Sequence, residues 1–152
     1  MAYIQPVFID LDMNTVEPAI GAQRMDKVYA WKSMLDMGIH TSGGSDAPVV
    51  SFDAMENIYF AVTRKNISGQ PQEGWIPSEK ISVDEAVKLF TKNAAYASYT
   101  EDENGTIEVG KNADFVVLEK NIYEIDPDEI KATKVDMTVL GGEIVYEREV
   151  EE

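Results

Sequence analysis

The N-terminal part of the chain combines short apolar runs with longer segments in which apolar positions recur at helical spacing. A buried strand is predicted over residues 3–9, although Pro6 weakens it, and a second strand over residues 39–45. Residues 23–37 between them are predicted to be helical, and Gly38 suits the position after a helix, where φ is positive. Strand, helix and strand within about 40 residues are typical of a parallel βαβ unit. The apolar face of the helix comprises Val28, Trp31 and Leu35.

Two further helices are predicted downstream, on either side of a loop rich in glycine, proline and amide side chains. Residues 52–64 repeat apolar side chains at helical spacing, and Ser51 is a plausible N-cap. Ser82 and Glu85 form an S-x-x-E capping box, which begins a helix that continues to about Tyr99. The predicted apolar face of the first of these helices comprises Phe52, Met55, Tyr59 and Val62.

The pattern changes after Gly105 to β-branched runs interrupted by glycine and asparagine. Gly141 and Gly142 separate two apolar runs within residues 139–147, and this spacing predicts a two-residue β-hairpin. Residues 126–134 are polar and predict a turn or a single helical turn. We therefore expect an α/β first part followed by a small β-rich part.

Charge and composition limit the classes of partner. The chain has 152 residues and a formal net charge of −15, from 28 acidic and 13 basic side chains. Such a field repels nucleic acids and anionic membranes, so we expect neither as a partner. No apolar run approaches the length of about 20 residues that a membrane span needs. The chain has no cysteine, which excludes disulfides and thiolate metal ligands and leads us to expect a cytoplasmic protein.

One acidic residue stands out in the segment TSGGSDAPVV, residues 41–50. Asp46 follows the second predicted strand and two glycines, so it would lie at the C-terminal end of a parallel strand. That end is where α/β barrels place their catalytic groups. The alternative is a structural use as an N-cap or Asx turn before the next helix, and this use is the commoner one for an isolated aspartate.

His40 is the only histidine in the chain, and its place in the second strand separates it from Asp46. Six residues at about 3.3 Å each put it roughly 20 Å from Asp46 along a continuous strand. A metal ion shared by the two side chains is therefore excluded in that geometry. We interpret His40 as a histidine near the start of a strand, and the chain contains no Ser-His-Asp or Cys-His set.

Several motifs together resemble the C-terminal part of the amidohydrolase superfamily. They are GSDAPV at residues 44–49, a helix containing NAA at residues 93–95, and the segment IEVGKNADFVVL at residues 107–118. The resemblance covers nearly the whole chain in the same order. Within the superfamily the chain resembles amidohydrolase family 3, whose members include proteins named exoenzyme regulatory proteins.

The resemblance implies both a fold and a site. Members have a TIM-type (β/α)8 barrel and a small β-sandwich built from both chain ends. Residues 1–104 would supply the last two βα units of the barrel, and residues 105–152 the C-terminal share of the sandwich. Asp46 would bind a divalent metal, zinc in our expectation, and act as general base toward the metal-bound water. The other ligands, an H-x-H pair, a bridging Lys or Glu and two later histidines, would lie upstream, and His40 matches none of them.

These implications lead to expectations for the chain itself. We expect a C-terminal fragment of an enzyme that hydrolyses C–N bonds of a small molecule, inactive on its own and without a bound metal. The open strand edges and exposed apolar groups of such a fragment would favour a homo-oligomer. We expect Ile4, Val7, Phe8 and Ile9 among those exposed groups. The alternative is a non-catalytic regulatory or assembly module.

Overall fold

A mixed α/β fold is seen in the computed structural model, which describes residues 1–149. The predicted second part extends to residue 152, so its last three residues lie outside the described part. The strands are β1 (Ala2–Ile4), β2 (Thr41–Gly43), β3 (Phe115–Leu118), β4 (Val135–Leu140) and β5 (Glu143–Glu147). The α-helices are α1 (Ile9–Asp12), α2 (Val16–Ile20), α3 (Trp31–Asp36), α4 (Ala54–Thr63), α5 (Val83–Leu89) and α6 (Lys92–Ala97). Short 3-10 helices span Pro6–Phe8, Ala22–Lys27, Pro77–Glu79 and Pro127–Ala132.

The predicted parallel pairing of the first two strands is confirmed. β1 and β2 lie side by side, with Ala2 opposite Thr41 and Ile4 opposite Gly43. Both strands are shorter than the predicted ranges 3–9 and 39–45. The first one ends early because Pro6 cannot donate to a strand ladder but fits the first turn of a 3-10 helix.

This early turn also overturns the expectation that the first apolar residues are exposed. Ile4, Val7 and Ile9 are buried, and Phe8 is partly buried against the same core. After Pro6 the chain folds under α4, where the backbone N–H of Val7 donates to the side-chain oxygen of Asn57 at 3.2 Å. The helix that follows β2 thus covers the residues that follow β1.

The helix predicted over residues 52–64 is present but begins two residues later. Asp53, not Ser51, is its N-cap: the Asp53 carboxylate accepts from the backbone N–H of Met55 at 2.7 Å and of Glu56 at 3.3 Å. Ser51 instead accepts from the backbone N–H of Asp53 at 3.2 Å. Phe52 consequently lies outside the helix and is 86% exposed, so its predicted place on the apolar face is wrong.

The other two predicted helices are each divided. In the 23–37 segment a 3-10 helix is followed by α3, and Tyr29 lies between them at φ 50°. The predicted positive φ at Gly38 is confirmed, at 72°. The capping box of Ser82 and Glu85 is also confirmed. The helix that follows this capping box ends at Leu89, however. Thr91 has a non-helical backbone with φ −125° and ψ −99°, and a separate helix, α6, begins after it.

A three-stranded antiparallel sheet, in the order β3-β4-β5, forms most of the C-terminal part. Gly141 and Gly142 join β4 to β5 with φ values of 58° and 85°, as a type I′ hairpin turn requires, so the predicted hairpin is confirmed. The predicted turn over residues 126–134 is the 3-10 helix Pro127–Ala132. Ile130 of this 3-10 helix, and Ile122 in the segment before it, are buried in the core of the N-terminal part. The division of the chain at residue 104 stays a prediction.

A buried arginine joins three segments of the N-terminal part. Arg64, directly after α4, donates from Nε to the carbonyl of Trp75 at 2.6 Å and from Nη1 to the carbonyl of Tyr29 at 3.0 Å. Its guanidinium lies 4.6 Å from the ring centroid of Trp31, a cation–π contact. The Tyr29 hydroxyl donates in turn to the carboxylate of Asp12. These contacts fix the segment after β1 against α4.

Candidate functional site

Asp46 lies where the sequence places it, just beyond the C-terminal end of β2. The backbone N–H of Gly44 still donates to the carbonyl of Ile4 at 2.9 Å, so the parallel pairing reaches to within two residues of Asp46. Asp46 itself has φ 60°, in the left-handed region that aspartate tolerates better than most residues. Its side chain is exposed and accepts no hydrogen bond from residues 1–149. The carboxylate is therefore open to a ligand.

Neither structural alternative for Asp46 is seen. The N-cap of α4 is Asp53, seven residues further along the chain. The turn at residues 46–49 is closed by the main chain, where the backbone N–H of Val49 donates to the Asp46 carbonyl at 3.0 Å. An Asx turn would use the carboxylate as acceptor. The Asp46 side chain thus has no local structural use in this part of the molecule.

The strand that carries Asp46 is held from the side away from β1 by the junction between α5 and α6. The ring of Phe90 packs against Gly43 so closely that a Cβ at this glycine would lie 2.7–3.0 Å from three ring atoms. The side-chain amide of Asn93 donates to the carbonyl of Thr41 at 2.8 Å. Asn93 belongs to the NAA motif, but sequence reasoning assigned it no partner, and nothing in the sequence indicated that Phe90 would meet Gly43.

His40 takes no part in this site. Its ring stacks on Tyr96 of α6, with centroids 3.9 Å apart, and its Nε2 atom is buried without a hydrogen-bond partner among the described residues. The interpretation of His40 as a histidine near the start of a strand agrees with this position. Within residues 1–149 no group of three or more His, Cys, Asp or Glu side chains is arranged to hold a metal ion.

A cavity of about 210 Å³ lies nearby, between α4 and the segment that follows β1. Its walls include Val7, Leu11, Phe60 and Ile67, which are apolar, and Asp46 is not among its lining residues. This cavity is therefore separate from the exposed carboxylate, and the candidate site is an open surface at the end of β2.

Comparison with known proteins identifies the family. The model of the amidohydrolase family matches residues 1–146, and the chain belongs to this family. YtcJ of Bacillus subtilis, named as an amidohydrolase, is 38% identical over 145 residues, which cover 95% of this chain and 27% of that protein. The N-substituted formamide deformylase of Arthrobacter pascens is 35% identical over 122 residues, which cover 80% of this chain and 22% of the relative. The chain thus spans about a quarter of the length of these relatives.

A solved structure agrees with this assignment at the level of the fold. A metal-dependent hydrolase from Pyrococcus horikoshii superposes with a TM-score of 0.71 at 22% identity, covering 82% of this chain and 25% of that one. At this identity the likeness shows the fold alone. In the described part of the chain, no helix has the length and apolar character to cross a membrane.

Proposed function

We propose that the chain is the C-terminal part of a metal-dependent amidohydrolase that hydrolyses a C–N bond of a small molecule, with Asp46 as metal ligand and general base. The observation that carries this proposal is the carboxylate of Asp46, which is exposed beyond the end of a parallel strand and has no hydrogen-bond partner among residues 1–149. Family membership supports the reaction class, since an amidohydrolase and a formamide deformylase are both named for cleavage of C–N bonds.

The proposed architecture follows from the same resemblance. β1 and β2 would be the last two strands of a TIM-type (β/α)8 barrel, and β3, β4 and β5 the C-terminal share of a β-sandwich. The parallel pairing of the first two strands and the antiparallel pairing of the other three support this division. The net charge of −15 supports a small molecule as substrate over a nucleic acid or a membrane surface, and the lack of cysteine in the sequence supports the cytoplasm as its location.

The residues of this chain fit one position of a metal site but not the whole. A catalytic zinc takes three protein ligands. Asp46 supplies one carboxylate, and residues 1–149 bring no further ligand side chains into a group with it. The remaining ligands would come from upstream strands, and for this reason we propose that the chain alone is inactive. When bound, a divalent metal such as zinc lowers the pKa of a coordinated water to about 7.

Asp46 has the chemistry that the remaining steps need. Its carboxylate can take a proton from the attacking water as the oxygen adds to the carbon of the scissile bond. The same carboxyl group can then return this proton to the leaving nitrogen as the C–N bond breaks. General acid–base catalysis of this kind contributes about 10²–10⁴-fold to the rate. The turn at residues 46–49 is closed by main-chain atoms, which leaves both carboxylate oxygens available.

The experiment that tests this proposal replaces Asp46 by asparagine in a polypeptide that contains the upstream strands. Asp46→Asn keeps the shape of the side chain but removes the base, so we expect kcat to fall by about 10²–10⁴-fold. The circular dichroism spectrum of the variant should match that of the parent, because the substitution leaves the fold unchanged. Asp102→Asn is the matched control, since Asp102 is exposed in a loop after α6, and it should keep parental kcat. An Asp46→Asn variant that binds metal and keeps near-parental kcat would contradict the proposed role.

The chain on its own has surfaces that support self-association. Ile144 and Val145, on opposite faces of β5, are each 57% exposed, and Tyr3 in β1 is 63% exposed. Of the described strands, β4 alone has a neighbour on both sides. Open edges with apolar side chains favour pairing between chains. We therefore propose a homo-oligomer for the isolated chain. A non-catalytic assembly module is the alternative if no hydrolase activity exists in the longer polypeptide.

A further inference from the structure

The side chain of Asn57 is a buried polar group near the N-terminal end of α4. Asn57 is only 1% exposed, and both polar atoms of its side chain have partners. Its Oδ1 atom accepts from the backbone N–H of Val7 at 3.2 Å, and its Nδ2 atom donates to the carbonyl of Asp53 at 2.9 Å. A buried side chain whose donor and acceptor are both satisfied favours one arrangement of the segments that it joins. Asn57 thus forms a hydrogen-bonded bridge from the turn after β1 to the residue that caps α4.

The backbone N–H of Val7 needs this partner because of its place in the 3-10 helix Pro6–Phe8. The first N–H groups of a helix have no acceptor within that helix. Val7 is itself buried, so bulk water does not serve as the acceptor. A buried donor that loses its acceptor stays desolvated without compensation. The bridge through Asn57 therefore determines how the turn after β1 packs against α4.

The two segments that the bridge joins follow strands that are neighbours within this chain. β1 and β2 pair with each other, so further strands of the proposed barrel would add beyond them and leave the contact between their following segments in place. Both segments leave the C-terminal ends of parallel strands, and this is the face on which α/β barrels carry their catalytic groups. The bridge therefore joins neighbouring loops on that face.

The loop that carries Asp46 is attached to this pair of segments at both ends. At its start, the backbone N–H of Gly44 donates to the carbonyl of Ile4 at 2.9 Å. At its end, Asp53 caps α4, and Asn57 connects that end to the turn after β1. The first attachment fixes where the loop leaves β2, and the second fixes where it reaches α4. The place of Asp46 between them depends on both.

We propose that Asn57 is a positioning residue for Asp46. Its side chain bonds to Val7 and Asp53 and acts on the carboxylate only through the loop, by holding α4 against the turn after β1. A displacement of a catalytic group by about 1 Å is enough to slow a reaction by about 100-fold. This inference deepens the proposed function and rests on it for its catalytic meaning. The bridge itself can be measured without any activity.

Amide hydrogen exchange tests the bridge, in a polypeptide that contains the upstream strands. Asn57→Ala removes the acceptor, and we expect the Val7 amide to exchange roughly tenfold faster, as for the loss of one buried hydrogen bond. Asn57→Asp keeps an acceptor oxygen, and the carbonyl of Asp53 keeps the backbone N–H of residue 57 as a donor at 3.2 Å, so Val7 should stay protected. Asn57→Leu, which fills the space without an acceptor, replaces the alanine variant if that one does not fold.

The matched control for the exchange experiment is Asn121→Ala. The Oδ1 atom of Asn121 also accepts a backbone N–H, that of Tyr123 at 3.1 Å, but in an exposed turn away from α4. This substitution should leave exchange at Val7 unaltered. Unchanged exchange at Val7 in Asn57→Ala, or equal acceleration in the control, would overturn the proposal.

Kinetics of the same variants test the consequence for Asp46. Misplacement of a catalytic group lowers the rate of the chemical step, so we expect Asn57→Ala to reduce kcat by roughly ten- to a hundredfold with little change in KM. Asn57→Asp should keep most of the parental kcat, and Asn121→Ala all of it. Parental kcat in Asn57→Ala despite faster exchange at Val7 would refute the positioning role, as would an equal loss in an Asn57→Asp variant that keeps Val7 protected. A parent polypeptide without hydrolase activity would instead refute the proposed function, while exchange at Val7 would still decide whether the bridge exists.

Discussion

The ring of Phe90 leaves no room for a side chain at Gly43, so the substitution Gly43→Ala should lower the free energy of unfolding. Gly43 lies in β2 with a φ outside the left-handed region, so its backbone is open to any residue. The obstacle to a larger residue is steric, because a Cβ added at Gly43 would lie 2.7, 2.8 and 3.0 Å from three atoms of the Phe90 ring. Gly43→Ala should therefore be destabilising because of this ring and for no other reason.

The expected change in the free energy of unfolding for Gly43→Ala is the balance of two opposing effects. Forcing an extra carbon into a packed contact costs about 1–3 kcal/mol. Replacing glycine by alanine at an unstrained position returns about 0.4–1 kcal/mol through the entropy of the unfolded chain. The net loss of stability for Gly43→Ala is then about 1.3 kcal/mol at the centre of these ranges, which together allow about 0–2.6 kcal/mol. In a Phe90→Ala background the clash is absent, so the same substitution should be neutral or stabilising by about 0.5 kcal/mol.

Urea unfolding of four proteins measures this coupling: the parent, each single variant and the double variant. The expected interaction free energy is about 2 kcal/mol, within the range of residues in direct contact. Gly44→Ala is the control, since a Cβ added at Gly44 would have no atom of the described residues within 4 Å and Gly44 has no left-handed φ, so its effect should be within about 0.5 kcal/mol of zero. If Gly43→Ala costs the same with and without the ring, the contact between β2 and the end of α5 is not the cause.

Three further predictions concern pH, metal and assembly. Burial, the hydrogen bond to Asp12 and the Asp12 charge raise the pKa of Tyr29, so the folded state keeps a proton that the unfolded chain releases above about pH 10. Stability should fall as the pH rises above about 10, and Tyr29→Phe should lessen this fall in urea titrations; an equal fall in the parent and the variant would contradict the assignment to Tyr29. Calorimetric titration of the chain with Zn²⁺ should show no tight site; a stoichiometric micromolar site lost in Asp46→Asn would contradict this. Light scattering should detect a dimer or larger oligomer, and a monomer at high micromolar concentration would contradict the proposed assembly.

The sequence predicted those features whose signals are local. The capping box of Ser82 and Glu85 and the Gly141-Gly142 turn each lie within a few residues of the structure that they produce. The parallel pair was predicted from its order along the chain and from the spacing of apolar runs. Asp46 was predicted correctly as a residue beyond a strand end, because the strand and its glycines are adjacent in sequence.

Features that depend on distant contacts were missed. Apolar spacing did not show that the chain would turn at Pro6 and bury Val7 beneath a helix about 50 residues away. The continuous apolar stripe from Val83 to Ala97 predicted one helix, whereas contacts with β2 accompany a break at Thr91. The hydrogen bond from the Asn93 amide to the Thr41 carbonyl was likewise not predicted, because a sequence does not show which carbonyl a side-chain amide will contact.

In the proposed complete site, Asp46 would be one ligand among several that come from different strands, since a catalytic zinc takes three protein ligands. A ligand that is mobile before the ion binds has to be ordered when it binds, and this ordering lowers the affinity. In this chain the backbone N–H of Gly44, two residues before Asp46, donates to the carbonyl of Ile4, and the ring of Phe90 packs against Gly43. The backbone that leads to Asp46 is thus held in place from both sides, which lessens the ordering that the proposed assembly requires.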